Sequence, residues 1–299
     1  MYIIEREGTR TRIRVSEGGV WRDVLAHAVR QTRNRLLELW AFRELVQNLV
    51  VRDLKVRYKN SVLGVIWSLL NPLLMMLVFT VVFTVMRGRA IARFPVFVLV
   101  GLLPWQFFAN SVSTATQSIV GNVQLINKVY FPKEVLVISS VLSNLVNFLI
   151  ALLVLVPILI AFDIPFTRWL LFLPVMIFIQ LLFTLGVGFI VATANVFYRD
   201  VQMIMEVVLL AGFFLTPVFY SMDILPRNYV LYGMNIDVWR TVRWLNPMAS
   251  IIDNYRVIFF YGAPPAFDFL VRTLVTSIFF FVIGLLIFYR YQTRFSEEV

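Results

Sequence analysis

Few residues in this chain could do covalent or acid–base chemistry. His27 is the single histidine and cysteine is absent, which removes thiol catalysis, iron–sulfur clusters, Cys-type zinc sites and disulfides together. One imidazole is too few for a His-based metal centre, and His27, set in a basic N-terminal region, reads as a surface residue. No serine lies in a Gly-x-Ser-x-Gly elbow, and Gly186-Val187-Gly188 lacks the third glycine of a dinucleotide loop. Those glycines are expected to let helices pack closely. None of the four lysines, Lys55, Lys59, Lys128 and Lys133, follows a glycine, so the Gly-Lys-Ser/Thr phosphate cradle is missing. If the chain takes part in ATP-driven work, another polypeptide must hydrolyse the nucleotide.

The remaining polar and aromatic residues suit binding better than catalysis. Glu206 is the only carboxylate inside a long apolar stretch, and it lies near the start of that stretch. Ion-coupled carriers place Asp, Glu or His near the bilayer midplane, so Glu206 is expected to be paired or solvated instead. The run Asn127-Lys128-Val129-Tyr130-Phe131-Pro132-Lys133-Glu134 puts aromatics and charges into one short connection. Such a mixture suits docking into a groove on a soluble partner, with aromatics as anchors and charges setting register; an ordinary interfacial turn is the alternative. Trp105, Phe107, Phe108, Phe213, Phe214, Phe219 and Tyr220 could stack on sugar rings, although packing and lipid contact are commoner uses. Asn71, Asn110, Asn144 and Asn147 read as interhelical hydrogen-bonding groups.

These residues sit on a chain whose composition is that of an integral membrane protein. Of 299 residues, 60% are hydrophobic and 15% charged, with a mean hydropathy of +0.82. A soluble domain carries about 25% charged residues, and a disordered chain needs low hydrophobicity. The net charge of +10 therefore reports orientation and contact with anionic headgroups before it reports nucleic acid.

The first sixty residues hold thirteen Lys/Arg against seven acids and no apolar run long enough to span. No cleavable signal is expected there, and Thr11-Arg12-Ile13-Arg14-Val15 alternates weakly like a short strand. From Phe42 the period becomes helical, with Phe42, Leu45, Val46, Leu49 and Val56 on one side. The basic and polar residues on the other side predict an amphipathic helix in the interface plane. A bilayer core needs roughly 20 apolar residues as helix. Six stretches are predicted to span: Val62–Met86, Phe94–Val120, Val135–Phe162, Trp169–Asn195, Met203–Tyr220 and Leu270–Tyr289. Asn71-Pro72 is expected to kink the first.

Six spans put both termini on one side. Taking that side as cytoplasmic places eighteen Lys/Arg inside and nine outside, the sense that positive-inside bias requires. Arg87, Arg89 and Arg93 crowd the first external loop and work against that bias. The connection Met222–Phe269 holds Trp239, Trp244 and an apolar run from Ile251 to Tyr261 that is too short to span. Re-entrant or interfacial helices are the expectation there.

At this point the sequence resembles a known family. The run Arg52-Asp53-Leu54-Lys55-Val56-Arg57-Tyr58-Lys59-Asn60-Ser61-Val62-Leu63-Gly64-Val65-Ile66-Trp67-Ser68-Leu69-Leu70-Asn71-Pro72 is similar to the entry signature of ABC type-2 exporter permeases, in the branch that exports O-antigen, capsular and teichoic-acid polymers. Lys128 through Glu134 resembles that family's cytoplasmic loop. Asn195-Val196-Phe197-Tyr198-Arg199-Asp200, Pro217-Val218-Phe219-Tyr220, Leu245-Asn246-Pro247 and Arg256 resemble further, weaker marks of it. The likeness runs from about Arg43 to Tyr291; Met1–Phe42 matches nothing diagnostic.

The resemblance implies a half-transporter in which two copies of this permease join two copies of a separate ATPase subunit. That partner would bind ATP and Mg, and this chain would bind no cofactor or metal. Lys128, Tyr130, Phe131, Pro132, Lys133 and Glu134 would form the segment that couples to the ATPase. Spans one and five would line the pathway, with Trp67, Phe213, Phe214, Phe219 and Tyr220 as lining candidates. Arg52, Arg57 and Lys59 would meet the pyrophosphate of a glycan carried on a polyprenyl lipid; positive-inside anchoring is the other reading of these three. The implied parts are a cytoplasmic segment 1–41, an interfacial helix 42–61, a six-span domain 62–289 with an external re-entrant region 222–269, and a cytoplasmic tail 290–299.

The sequence expectation is therefore an all-α integral membrane protein with six transmembrane helices, homodimeric, multi-pass in a prokaryotic plasma (inner) membrane. Its expected work is ABC-driven export of lipid-linked polysaccharide, with no nucleic acid and no enzymatic turnover of its own. A drug or small-lipid exporter of the same architecture and an ion-coupled glycolipid flippase are the alternatives.

Overall fold

A computed structural model describes residues 3–7, 10–14, 40–59, 66–87, 93–231 and 234–298. The expectation for His27, and those for Asn60 to Val65, fall outside the described residues. The chain divides into two compact units, residues 1–45 and 46–299.

In the first unit, β1 (Ile3–Glu7) pairs antiparallel with β2 (Arg10–Arg14), Ile3 opposite Arg14 and Glu7 opposite Arg10. The weak alternation after Thr11 thus marks a real strand, and its partner carries no comparable apolar pattern.

The second unit is built of helices. After α1 (Arg43–Tyr58), which crosses the boundary between the units, come α2 (Ile66–Arg87), α3 (Phe94–Gln117), the short α4 (Val123–Lys128), α5 (Glu134–Ala161), α6 (Leu173–Phe197) and α7 (Val201–Leu215). A hairpin of β3 (Tyr229–Leu231) and β4 (Met234–Ile236) follows, then α8 (Val238–Leu245), α9 (Pro247–Phe259), α10 (Phe267–Tyr291) and α11 (Phe295–Glu298). Each of the six apolar stretches contains one long helix. Four of them, bounded as Phe94–Gln117, Glu134–Ala161, Arg168–Phe197 and Phe269–Arg294, are long and apolar enough to cross a membrane. The apolar parts of α2 and α7, Leu70–Val85 and Val201–Leu215, are shorter. The chain is a multi-pass membrane protein.

Helix α3 is the centre of the unit, packed by α2, α5, α6, α7 and α9. Its Val96, Phe97, Val98 and Val112 are wholly enclosed. Phe94, Phe97 and Val98 form a cluster against Phe79, Phe83, Phe219 and Phe260. The closest helix pair is α6 with α10, and glycine explains it. A Cβ on Gly186 would stand 2.5 Å from the Phe280 backbone, and one on Gly284 would collide with the Gly186 carbonyl. In lipid, where no hydrophobic force drives helices together, such backbone contact supplies dispersion in its place. The expected close packing is found at both glycines, at Gly186 against α10 and at Gly188 against Ala115 of α3 and Val137 of α5.

Two details differ from the sequence reading. Only Leu49 of the expected apolar face of α1 is fully buried; Leu45 and Val46 are half-buried and Val56 is exposed. The connection 222–269 carries a hairpin as well as helices. Helix α9 has 13 residues, about 20 Å at 1.5 Å per residue, too short to cross a bilayer core.

Candidate functional site

The connection between α3 and α5 is shaped to present one aromatic ring. A helical turn at Val120–Asn122 and then α4 carry the chain out, and it returns through Phe131 and Pro132. Tyr130 at the tip is 90% exposed, whereas Phe131 is 6% exposed. Lys128 is also exposed, and Pro132 and Glu134 are buried. Lys133 donates from Nζ to the Gln292 carbonyl at 2.9 Å and lies 5.7 Å from the Phe295 ring centroid. Its burial lowers its pKa from the usual lysine value. Glu134 begins α5, where a carboxylate favours the positive end of the helix dipole. The six residues grouped by sequence thus split by role. Tyr130 and Lys128 face outward, while Phe131, Pro132, Lys133 and Glu134 fix the loop to the body of the protein.

The three basic residues of α1 and its end also separate. Arg52 donates from Nε and Nη2 to Asp53 Oδ1, at 3.0 and 2.9 Å, and from Nη1 to Asn122 Oδ1 at 3.0 Å. Its guanidinium therefore ties α1 to the turn before α4. Arg57 and Lys59 are exposed.

Of the aromatic candidates, four are brought together at the end of α7. Phe213 is 8% exposed and Phe214 56% exposed. Phe219 stacks parallel on Phe79 of α2, with ring centroids 5.3 Å apart and planes 4° off parallel, and meets Phe213 at 5.6 Å. The Tyr220 hydroxyl lies 3.3 Å from the Leu215 carbonyl. Phe213 and Phe219 therefore join α2 and α7 as packing residues, and Phe214 is the ring left facing outward. Glu206, on the same helix, is exposed.

Trp67 is not part of that cluster. It lines a polar cleft of about 390 Å³ bounded by α1, α2, α3 and α5. Gln106, Asn110, Ser113 and Thr114 line it from α3, Asn144 and Asn147 from α5, Asn71 from α2, and Arg57 and Tyr58 from α1. The Tyr58 hydroxyl donates to Asn147 Oδ1 at 2.6 Å. Asn144 Nδ2 donates to Thr114 Oγ1 at 2.8 Å and to the Ser140 carbonyl at 2.9 Å. Asn144 and Asn147 are thus interhelical hydrogen-bonding groups, as expected, yet Asn144 Oδ1 and Asn147 Nδ2 are buried without partners. Sequence reasoning treated these amides singly and missed the cleft. Its signal was present: polar positions 106, 110 and 113 on α3, and 144 and 147 on α5, repeat at the helical period. Among the described residues no group of three metal-ligating side chains occurs.

Opposite this, the turn after α7 is held by α9. Arg256 is 1% exposed. It donates from Nη1 to the carbonyls of Pro217 at 2.6 Å and Tyr220 at 3.1 Å, and from Nη2 to that of Val218. Its guanidinium carbon lies 3.7 Å from the Phe97 ring centroid. A Cβ on Gly101 would come within 2.7 Å of Nη2, so only glycine leaves room. Asn246 caps α9 by accepting from the Ala249 N–H, and its Nδ2 donates to Thr216 Oγ1 at 2.8 Å. Pro247 at the first position completes the helix start.

With the geometry in view, the comparisons are specific. Residues 44–260 match the ABC-2 type transporter family. The chain is 35% identical to the O-antigen export system permease protein RfbA of Myxococcus xanthus, over 88% of this chain and 98% of that protein. It is 31% identical to an O-antigen export system permease protein RfbA of Klebsiella pneumoniae, over 82% of this chain and 91% of that protein. A weaker likeness, at 21% identity over 71% of this chain and 79% of that protein, is to the polysialic acid transport protein KpsM of Escherichia coli.

Proposed function

The chain belongs to the ABC-2 type transporter family, and from that premise we propose that it is the membrane permease of a polysaccharide exporter. The observation that carries this reading is the likeness to O-antigen export permeases across nearly their whole length. The cargo is a lipid-linked glycan of the O-antigen kind, moved outward across a prokaryotic inner membrane. Six helices span, α2, α3, α5, α6, α7 and α10, with both termini in the cytoplasm and 222–269 as an external re-entrant region. Segments 1–41 and 290–299 are then cytoplasmic, 42–61 interfacial, and 62–289 the transmembrane domain.

The energy comes from a separate ABC ATPase subunit, which binds ATP and Mg; this chain holds neither. Two permease copies assemble with two ATPase copies. The exposed Tyr130 ring enters a groove on the ATPase, and the bond from Lys133 to Gln292 holds the loop rigid enough to transmit a push. Trp67 and Phe214 offer flat faces toward the passing glycan.

Deletion of the gene in its own host, followed by staining of surface and intracellular glycan, tests the reading. Loss of surface polymer with accumulation of lipid-linked polymer inside is expected, and restoration should require both this chain and an ATPase able to hydrolyse ATP. Restoration with a hydrolysis-dead ATPase would point to ion-coupled flipping. Unchanged surface glycan in the deletion would point to a drug or small-lipid cargo.

A further inference from the structure

The polar cleft is not accounted for by helix packing. Burying an amide oxygen and an amide nitrogen without partners is costly in a medium that offers neither water nor protein to bond them. Asn144 Oδ1 and Asn147 Nδ2 are such atoms, on a cleft wall. Hydrocarbon tails filling the cleft would also leave the accessible polar groups of Asn71, Gln106, Asn110 and Ser113 without partners, so its natural occupant is a neutral, hydroxyl-rich group.

The lining chemistry narrows that group. Carboxamides and hydroxyls share the lining with Leu103, Phe107, Phe148 and Ala151, and no carboxylate faces the cleft among the described residues. A carboxamide both donates and accepts, which matches a pair of vicinal hydroxyls. The Trp67 indole is half exposed at the wall, giving an aromatic face for the C–H surface of a ring. Arg57 is the single cation of the lining, and a guanidinium forms charge-assisted bonds with phosphate. A proton or metal ion would call for acids.

Depth fits a moving cargo. Asn144 and Asn147 lie ten and thirteen residues into α5 from Glu134, about 15–20 Å along the axis, roughly half of a 30 Å core. The cleft thus lies about half-way along α5, and its volume of about 390 Å³ is at the lower end of the roughly 300–1,000 Å³ of small-molecule sites.

We infer that this cleft, formed within one protomer, binds the sugar ring next to the lipid phosphate of the glycan, with the amides of Gln106 and Asn110 on its hydroxyls and those of Asn144 and Asn147 holding the wall. This rests on the export reading and adds a sugar-specific site to it. Phosphate alone could also bring the lipid to Arg57, so the test separates ring from phosphate.

The full chain in lipid nanodiscs is titrated with two probes, a prenyl pyrophosphate carrying one hexose and the same prenyl pyrophosphate without sugar. The variant is Gln106→Ala with Asn110→Ala, which removes two lining amides but neither of the interhelical bonds of Asn144 and Asn147. Wild type should bind the sugar-bearing lipid more tightly, and the variant should lose about tenfold for it and under about twofold for the bare lipid. Equal loss for both probes, no loss, or no sugar preference in wild type would each overturn the assignment. Surface glycan in cells carrying the wild-type chain reads the export function separately. Export with no sugar-dependent binding removes the cleft site alone, and absent export removes the reading beneath it.

Discussion

Arg256 reaches across 39 positions of sequence to donate a 2.6 Å hydrogen bond to the carbonyl of Pro217. With the bonds to Val218 and Tyr220, one buried guanidinium satisfies three carbonyls of the turn that follows α7. Phe97 covers its face. The turn after α7 is thereby fastened to α9 by a cation as well as by the apolar cluster around Phe97. Any outward movement of α7 must carry α9 with it or break these bonds.

Arg256→Ala leaves those carbonyls buried and empty, and should cost about 3–5 kcal/mol of folding stability. Arg256→Lys keeps the charge but cannot fan to three acceptors in one plane, so it should recover less than half of that loss. Thermal unfolding of the detergent-solubilised chain reads both variants. Equal stability of Arg256→Lys and wild type would show that charge alone is sufficient.

Tyr130 and Phe131 should part ways on mutation. Tyr130→Ala leaves folding unchanged and weakens ATPase co-purification by about 2 kcal/mol, near thirtyfold, as expected for an interface anchor. Phe131→Ala removes a buried ring and should cost about 3 kcal/mol or more of stability. Co-elution and thermal unfolding measured on both variants distinguish them, and an identical pattern for the two would undo the division of the loop into tip and base.

Much of this was legible in the sequence and some of it was not, for definable reasons. The six apolar stretches appear as helices because hydrophobic length is a one-dimensional signal. The close α6–α10 contact was half readable, since Gly186 marks a thin place on one helix but not its partner Gly284. The loop 127–134 was readable as a segment; which of its two aromatics points outward depends on Lys133 and the C-terminal turn, 159 positions away. Asn144 and Asn147 were correctly read as helix-joining amides. That their spare atoms converge with those of α3 on one cleft depends on helix rotation, which composition does not carry.

Among the basic residues, Arg57 and Lys59 are exposed and Arg52 is engaged with Asp53 and Asn122. Arg57→Gln with Lys59→Gln should reduce the stimulation of ATPase activity by lipid-linked glycan severalfold. Arg52→Gln should act differently, loosening the tie to Asn122 and lowering basal and stimulated rates in the same proportion. A steady-state ATPase assay with and without glycolipid checks this, and loss of stimulation in Arg52→Gln alone would reverse the assignment.

At the end of α7, Phe213→Ala should destabilise by about 3 kcal/mol, because the ring is buried among Phe79, Trp105 and Phe219. Phe214→Ala should leave the melting temperature nearly unchanged and slow export. Paired melting and export measurements decide; normal export in a stable Phe214→Ala protein would take Phe214 off the pathway.

The most direct test of the central claim is affinity purification of the chain from its native membranes in mild detergent, with bound proteins and lipids identified by mass spectrometry. The account predicts an ABC ATPase subunit in equal amount and a glycan on a prenyl lipid. A folded, dimeric chain recovered with no ATPase would contradict it.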